Sequence, residues 1–200
     1  MKLWKICRAI NNEKRLELLC AIARSPDKSL NVVEAGDFVG LGKAAASQYL
    51  RQLAEAGFVS VERSGRFAVC SLASSSATVA SLLAALAESF PSARSKKKDW
   101  HGRLLRVVNG LSHHVRTRIV RRIVSNGGAG FADLEKTCSL APATLRRQLG
   151  VLIDAGLVSP CEDETGNRCY AIADGLCPVA SALLAMAANE CSQFANCEHS

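Results

Sequence analysis

The sequence predicts a mainly α-helical protein with small β-hairpins, built as two copies of one small domain. Three observations carry that expectation. The length of 200 residues suits two small domains. The pentapeptide Ala56–Gly57–Phe58–Val59–Ser60 returns 99 positions later as Ala155–Gly156–Leu157–Val158–Ser159. Apolar residues also recur at helical spacing at matching places in both halves, Leu3, Ile6, Cys7 and Ile10 against Leu104, Val107, Val108 and Leu111.

The match continues through Arg15 and Arg116, Leu18 and Ile119, and Ile22 and Ile123, then through Ser81–Leu82–Leu83–Ala84 against Ala182–Leu183–Leu184–Ala185. The first copy is expected to form helices over about 2–10, 13–23, 31–39 and 43–56. Strands at 58–63 and 66–72 should follow around a two-residue turn, Ser64–Gly65, and then a last helix at 75–89. The second copy reads as helices 103–112, 113–125, 130–138 and 142–155, strands 157–162 and 168–173, and a helix at 178–193. The domains are therefore expected at 1–90 and 103–200. Between them Pro91 and the run Lys96–Lys97–Lys98 mark 91–102 as a linker.

Hydrophobic residues make up 48% of the chain and charged residues 22%, which excludes a disordered or collagen-like polymer. No apolar run reaches the ~18 residues that cross a bilayer, and Met1–Lys2–Leu3–Trp4–Lys5 leads into a charged segment. A cytoplasmic protein without a membrane partner is expected. Nine cysteines without a CxxC pair fit a reducing compartment. The net charge of +7, spread along the chain, makes nucleic acid a reasonable partner.

Two short helices joined by a tight turn and followed by a hairpin compose a winged helix-turn-helix. In the first copy Leu41–Gly42–Lys43 is the turn, Ala46–Ser47–Gln48–Tyr49–Leu50 the middle of the second helix, and Leu53–Ala54–Glu55–Ala56–Gly57–Phe58–Val59 its exit into the hairpin. With Asn12–Glu13–Lys14–Arg15–Leu16, these residues resemble the ArsR family of bacterial winged-helix repressors over about residues 3–90. Residues 104–188 resemble it more weakly, through Val115–Arg116, Leu145–Arg146–Arg147–Gln148–Leu149 and Asp154–Ala155–Gly156–Leu157–Val158.

The resemblance implies a sequence-specific transcriptional regulator, a repressor, that binds double-stranded DNA. Family members dimerise through their first and last helices. Two copies in one chain then imply either a pseudo-dimer with an approximate twofold, using helices 2–10, 75–89, 103–112 and 178–193, or a homodimer of such chains.

A helix enters the major groove only when one apolar face is held and the other is free. In the first copy Ala46, Leu50 and Leu53 are the expected held face, leaving Lys43, Ala44, Ser47, Gln48 and Arg51. Ser47 and Gln48 suit base edges, and Lys43 and Arg51 suit phosphate, as do Arg63 and Arg66 beside the first turn. In the second copy Leu145, Leu149 and Leu152 are held, freeing Ala143, Thr144, Arg146, Arg147 and Gln148. Arg146 and Arg147 are the foremost base readers, because a guanidinium can bridge guanine O6 and N7. The second hairpin carries Glu162, Asp163 and Glu164, which a phosphate backbone repels.

The family's metal sites, a cysteine pair on the third helix or Asp and His residues on the last, are missing from 31–38 and 75–90, so no metal or cofactor is expected. Outside the family pattern, Cys191, Cys197 and His199 lie within nine residues, a spacing that either lets them share a soft divalent ion after thiol deprotonation or marks a frayed tail with incidental cysteines, and His113 and His114 open a helix, where capping or solvent is the common fate. Cys161 and Cys169 flank the second hairpin; a facing register would make them a thiol switch, and a register one residue off would not. The sequence holds no phosphate-cradling glycine loop, nucleophile elbow or clustered His–Glu pair, so no catalytic residue is expected. The competing expectation is a tandem winged-helix scaffold for protein partners in a chromosome or transcription complex. Such a scaffold would carry neutral or acidic second helices.

Overall fold

Side chains decide where several helices begin. Asn12 Oδ1 accepts from the Arg15 amide and opens α2 (Glu13–Arg24), while Asn31 and Glu34 form a reciprocal capping box that opens α3 (Val32–Val39). In this computed structural model, which describes residues 2–64, 67–73, 77–89, 100–163 and 166–195, the chain is mainly helical with two small antiparallel sheets. The first half runs α1 (Leu3–Ile10), α2, β1 (Ser29–Asn31), α3, α4 (Lys43–Glu55), β2 (Val59–Ser64), β3 (Phe67–Leu72) and α5 (Ala77–Ser89). The second half repeats the order as α6 (Trp100–Leu111), α7 (His114–Asn126), β4 (Ala129–Gly130), α8 (Phe131–Cys138), α9 (Pro142–Asp154), β5 (Val158–Glu162), β6 (Arg168–Ile172) and α10 (Pro178–Ala195).

Each sheet has three strands, ordered β1-β3-β2 and β4-β6-β5. The hairpins were expected, but β1 and β4 were not. They form because the chain entering α3 or α8 passes beside the hairpin's second strand and pairs with it, Leu30 with Cys70 and Ala129 with Tyr170.

Two boundaries differ from the sequence expectation. Ser64 pairs with Phe67, so Ser64 belongs to β2 and not to the turn Ser64–Gly65. Gly65 and Arg66 lie outside the described residues. Helix α6 begins at Trp100, inside the stretch 91–102 read as linker, because the helical spacing that buries Leu104, Val107, Val108 and Leu111 extends back through His101. The remainder of that stretch, 91–99, is not among the described residues.

Contacts divide the chain into two compact units, one of Ala9–Leu105 and one of Lys2–Arg8 with Arg106–Ser200. The first turns of α1 thus belong with the second half of the sequence and not with 1–90. The physical reason lies in its neighbours. Leu3 donates its amide to Glu190 on α10, and the Trp4 ring meets His114 edge-on at 6.4 Å. The first unit is built on Leu16, Leu18, Leu19, Ile22, Leu50, Leu53, Phe58, Leu82 and Leu86. The second is built on Leu3, Leu111, Ile119, Ile123, Leu145, Leu152, Leu157 and Leu183.

The recurring pentapeptide has one structural task in both units. Gly57 and Gly156 take positive φ, +73° and +68°, a conformation that glycine enters without a Cβ clash. The following amides then close the helix ends, Phe58 donating to Leu53 at 2.9 Å and Leu157 to Leu152 at 3.0 Å. The chain is thereby turned straight into the hairpin. No described helix is long and apolar enough to cross a membrane.

Candidate nucleic-acid interface

Helices α4 and α9 hold corresponding places in the two units, each following a tight turn and preceding a hairpin. In the first, Gly40 ends α3 in the left-handed region and Leu41 donates back to the Gly36 carbonyl at 2.8 Å. A Cβ on Gly36 would stand 2.8 Å from the Leu41 oxygen and 3.1 Å from the Ala46 Cβ, so glycine there allows α3 and α4 to approach closely. In the second unit Ser139 takes the left-handed place and Leu140 donates to Glu135 at 3.2 Å.

The held faces lie where the spacing placed them. Ala46, Leu50 and Leu53 are buried on α4, and Leu145, Leu149 and Leu152 on α9. On the opposite face of α4, Lys43, Gln48 and Arg51 are exposed and Ser47 is half-buried. On α9, Arg146 and Arg147 are exposed and Thr144 is half-buried. Arg63 is exposed on β2, while Arg66 and Glu164 lie outside the described residues. Among the described residues no side chain caps the first turn of α4 or α9. Their leading amides are thus left for solvent or an anion, which the positive end of a helix favours.

Gln148 departs from the expectation. It is only 7% exposed, and its Oε1 accepts from Arg116 Nη1 at 3.1 Å, so it faces inward and not toward a ligand. Arg116 also donates to the carbonyls of Gly110 at 2.7 Å and Asn109 at 2.6 Å. One guanidinium therefore ties the end of α6 to the middle of α9. Arg15, its counterpart in the repeat, bonds Gln52 and lies over the Tyr49 ring at 5.8 Å. Burial holds both guanidinium pKa values below their ordinary position.

Arg146 lies 5.2 Å from the centroid of the Phe131 ring at the start of α8. That cation–π contact restricts the guanidinium without removing it from solvent. Arg147 is close enough for its charge to act on His113.

His113 is the N-cap of α7, and its Nδ1 accepts from the Val115 amide at 3.2 Å. Partial burial first, and then the charges of His114, Arg116 and Arg147, depress its pKa below the ordinary 6.5. Only the form with Nδ1 unprotonated can cap. The stabilisation is fully present above the unfolded value and is lost as pH falls from there through the lower folded value. Melting temperature measured from pH 8 to pH 5 should fall more steeply for the natural protein than for His113→Asn, which caps without titrating. Parallel curves would show that His113 does not couple to folding.

One cluster went unseen in the sequence. Glu13 and Glu17, one turn apart on α2, face the His101 ring, with Nδ1 and Nε2 each 3.7 Å from a carboxylate oxygen. Among the described residues this is a group of three His, Asp, Glu or Cys side chains whose ligand atoms lie within 4.8 Å of one another. Lys14 already pairs with Glu17 at 2.9 Å. The i, i+4 glutamates were legible, but nothing local tied them to a histidine far along the chain. Cys197 and His199 lie outside the described residues, as does the side chain of Cys191.

Comparison with family models and with curated proteins returns no match for this chain.

Proposed function

We propose that this chain is a sequence-specific DNA-binding transcriptional regulator, a repressor of ArsR type, built from tandem winged helix-turn-helix domains that read double-stranded DNA with α4 and α9. The observation that carries the reading is the two-sidedness of these helices: each buries a leucine face and presents polar or cationic residues outward. Their uncapped first turns suit phosphate, and Lys43 stands at the first position of α4. Two such helices in one chain, or those of a homodimer of such chains, supply the pair of readers that a two-half-site operator requires. The hairpins are the wings. The first offers Arg63 to the backbone, and the acidic second, with exposed Glu162 and Asp163, stays off it.

The roles divide by chemistry. Arg146 and Arg147 read bases, Ser47 and Gln48 meet base edges in the first copy, and Lys43 and Arg51 hold phosphate. A protein scaffold is the second reading, favoured by Phe38 and Val33, which α3 leaves 56% and 41% exposed.

Fluorescence polarisation on fragments of the gene's own upstream region tests the proposal. Arg146→Ala should cost about 1–3 kcal/mol on the best fragment and much less on random DNA. Arg51→Ala should weaken all sequences alike and lower the salt slope by about one. Equal losses on every sequence would make Arg146 merely electrostatic. No loss at all, with binding to a protein partner retained, would give the scaffold reading.

A further inference from the structure

Cys161 and Cys169 face each other in the β5–β6 register, 5.0 Å apart at Cα, and are joined by a disulfide. That separation lies within the range a disulfide bridges without moving the backbone. The repeat supplies an internal control. The row Gly130, Cys169, Cys161 in the second sheet corresponds to Asn31, Val69, Glu62 in the first, which folds the same three strands with no thiol in that row. The fold itself does not require sulfur there.

The hairpin also closes by other means. Asp163 exchanges backbone and side-chain hydrogen bonds with Asn167, the amides donating at 2.9 Å in each direction, a closure that does not pass through sulfur. Four other thiols differ in kind. Cys7, Cys20, Cys70 and Cys138 are buried, and burial pushes the pKa values of Cys7, Cys70 and Cys138 up from the ordinary thiol range. Since the thiolate is the reactive form, these are protected from oxidants. Cys161 and Cys169 are half-buried at a hairpin.

We propose that Cys161 and Cys169 are a reversible dithiol–disulfide couple, an oxidant-modified site whose state sets the order of the β5–β6 hairpin. A hydroperoxide is the class of oxidant. One thiolate attacks the peroxide oxygen, breaking the O–O bond and releasing the alcohol, or water from hydrogen peroxide itself. The sulfenic acid so formed is then attacked by the facing thiol, which makes the S–S bond and expels water. The two thiols lose two electrons and two protons in all, and the peroxide gains both. A small dithiol reverses the step by exchange. The pairing of Cys169 with Gly130 carries the constraint toward Phe131, the ring beneath Arg146. The redox claim stands independently of the DNA-binding proposal.

The test uses the full chain with Cys177→Ser, Cys191→Ser and Cys197→Ser, so that no other accessible or undescribed thiol contributes. Reduced with dithiothreitol, freed of it and then given one equivalent of hydrogen peroxide, the chain should show by mass spectrometry the loss of two hydrogens confined to the peptides holding Cys161 and Cys169, reversed by fresh dithiothreitol. Amide exchange over Val158–Glu162 and Arg168–Ile172 should be at least about threefold slower in the oxidised form. Cys161→Ser should leave Cys169 unable to bridge and open to a sulfenic-acid trap. Independent overoxidation of each cysteine without a bridge, a bridge that dithiothreitol does not open, or equal amide exchange in both states would overturn the proposal.

Discussion

Replacing Phe58 with alanine is expected to destabilise the protein by about 3–5 kcal/mol, the range for emptying a buried aromatic site. Phe58 is fully buried. It also stands at a junction, since its amide closes the end of α4 at Leu53 and its carbonyl accepts from Ala73 at 3.0 Å, just beyond β3. Neighbouring backbone is thus pinned on both sides and cannot collapse into the void. The second unit carries Leu157 at this place, also fully buried, so Phe58→Leu should cost far less than Phe58→Ala. Urea midpoints of the three proteins check the ordering. Equal losses for leucine and alanine would mean that the ring packs against nothing specific.

The second large effect falls on Arg116. Alanine there removes the donor to Gly110 and Asn109 and leaves buried Gln148 without that partner, which together should cost about 2–3 kcal/mol. Lysine should rescue only part of the loss, because an ammonium cannot reproduce a planar fork that spans the end of α6 and the middle of α9. The same substitution should weaken any activity of α9 more than that of α4, since Arg15 performs the corresponding work in the other unit. Thermal unfolding of Arg116→Ala and Arg116→Lys decides the matter. A melting temperature unchanged by alanine would show that solvent replaces the guanidinium at no cost.

The faces of α4 and α9 were legible in the sequence because Ala46, Leu50 and Leu53, and Leu145, Leu149 and Leu152, obey a helical period that one neighbouring core satisfies. The glycine exits were legible for a similar local reason. Strands β1 and β4 were not, since three residues and two residues are too few to show alternation, and both exist only through pairing with a distant hairpin. Gln148 was misplaced because its polarity suggests solvent, whereas its burial depends on an arginine 32 positions earlier. The place of α1 was hidden for another reason. An apolar stripe records that a helix is covered and not by what, and nothing local announced that Glu190 would accept from the Leu3 amide or that His114 would meet the Trp4 ring.

The proposed DNA binding is read by titrating the full chain against its best upstream fragment and a scrambled duplex over a range of salt. Affinity should fall linearly in log–log with salt, about 0.9 per phosphate contact, with a preference for the native fragment of at least about a thousandfold. Equal affinity for both duplexes at every salt concentration would contradict it.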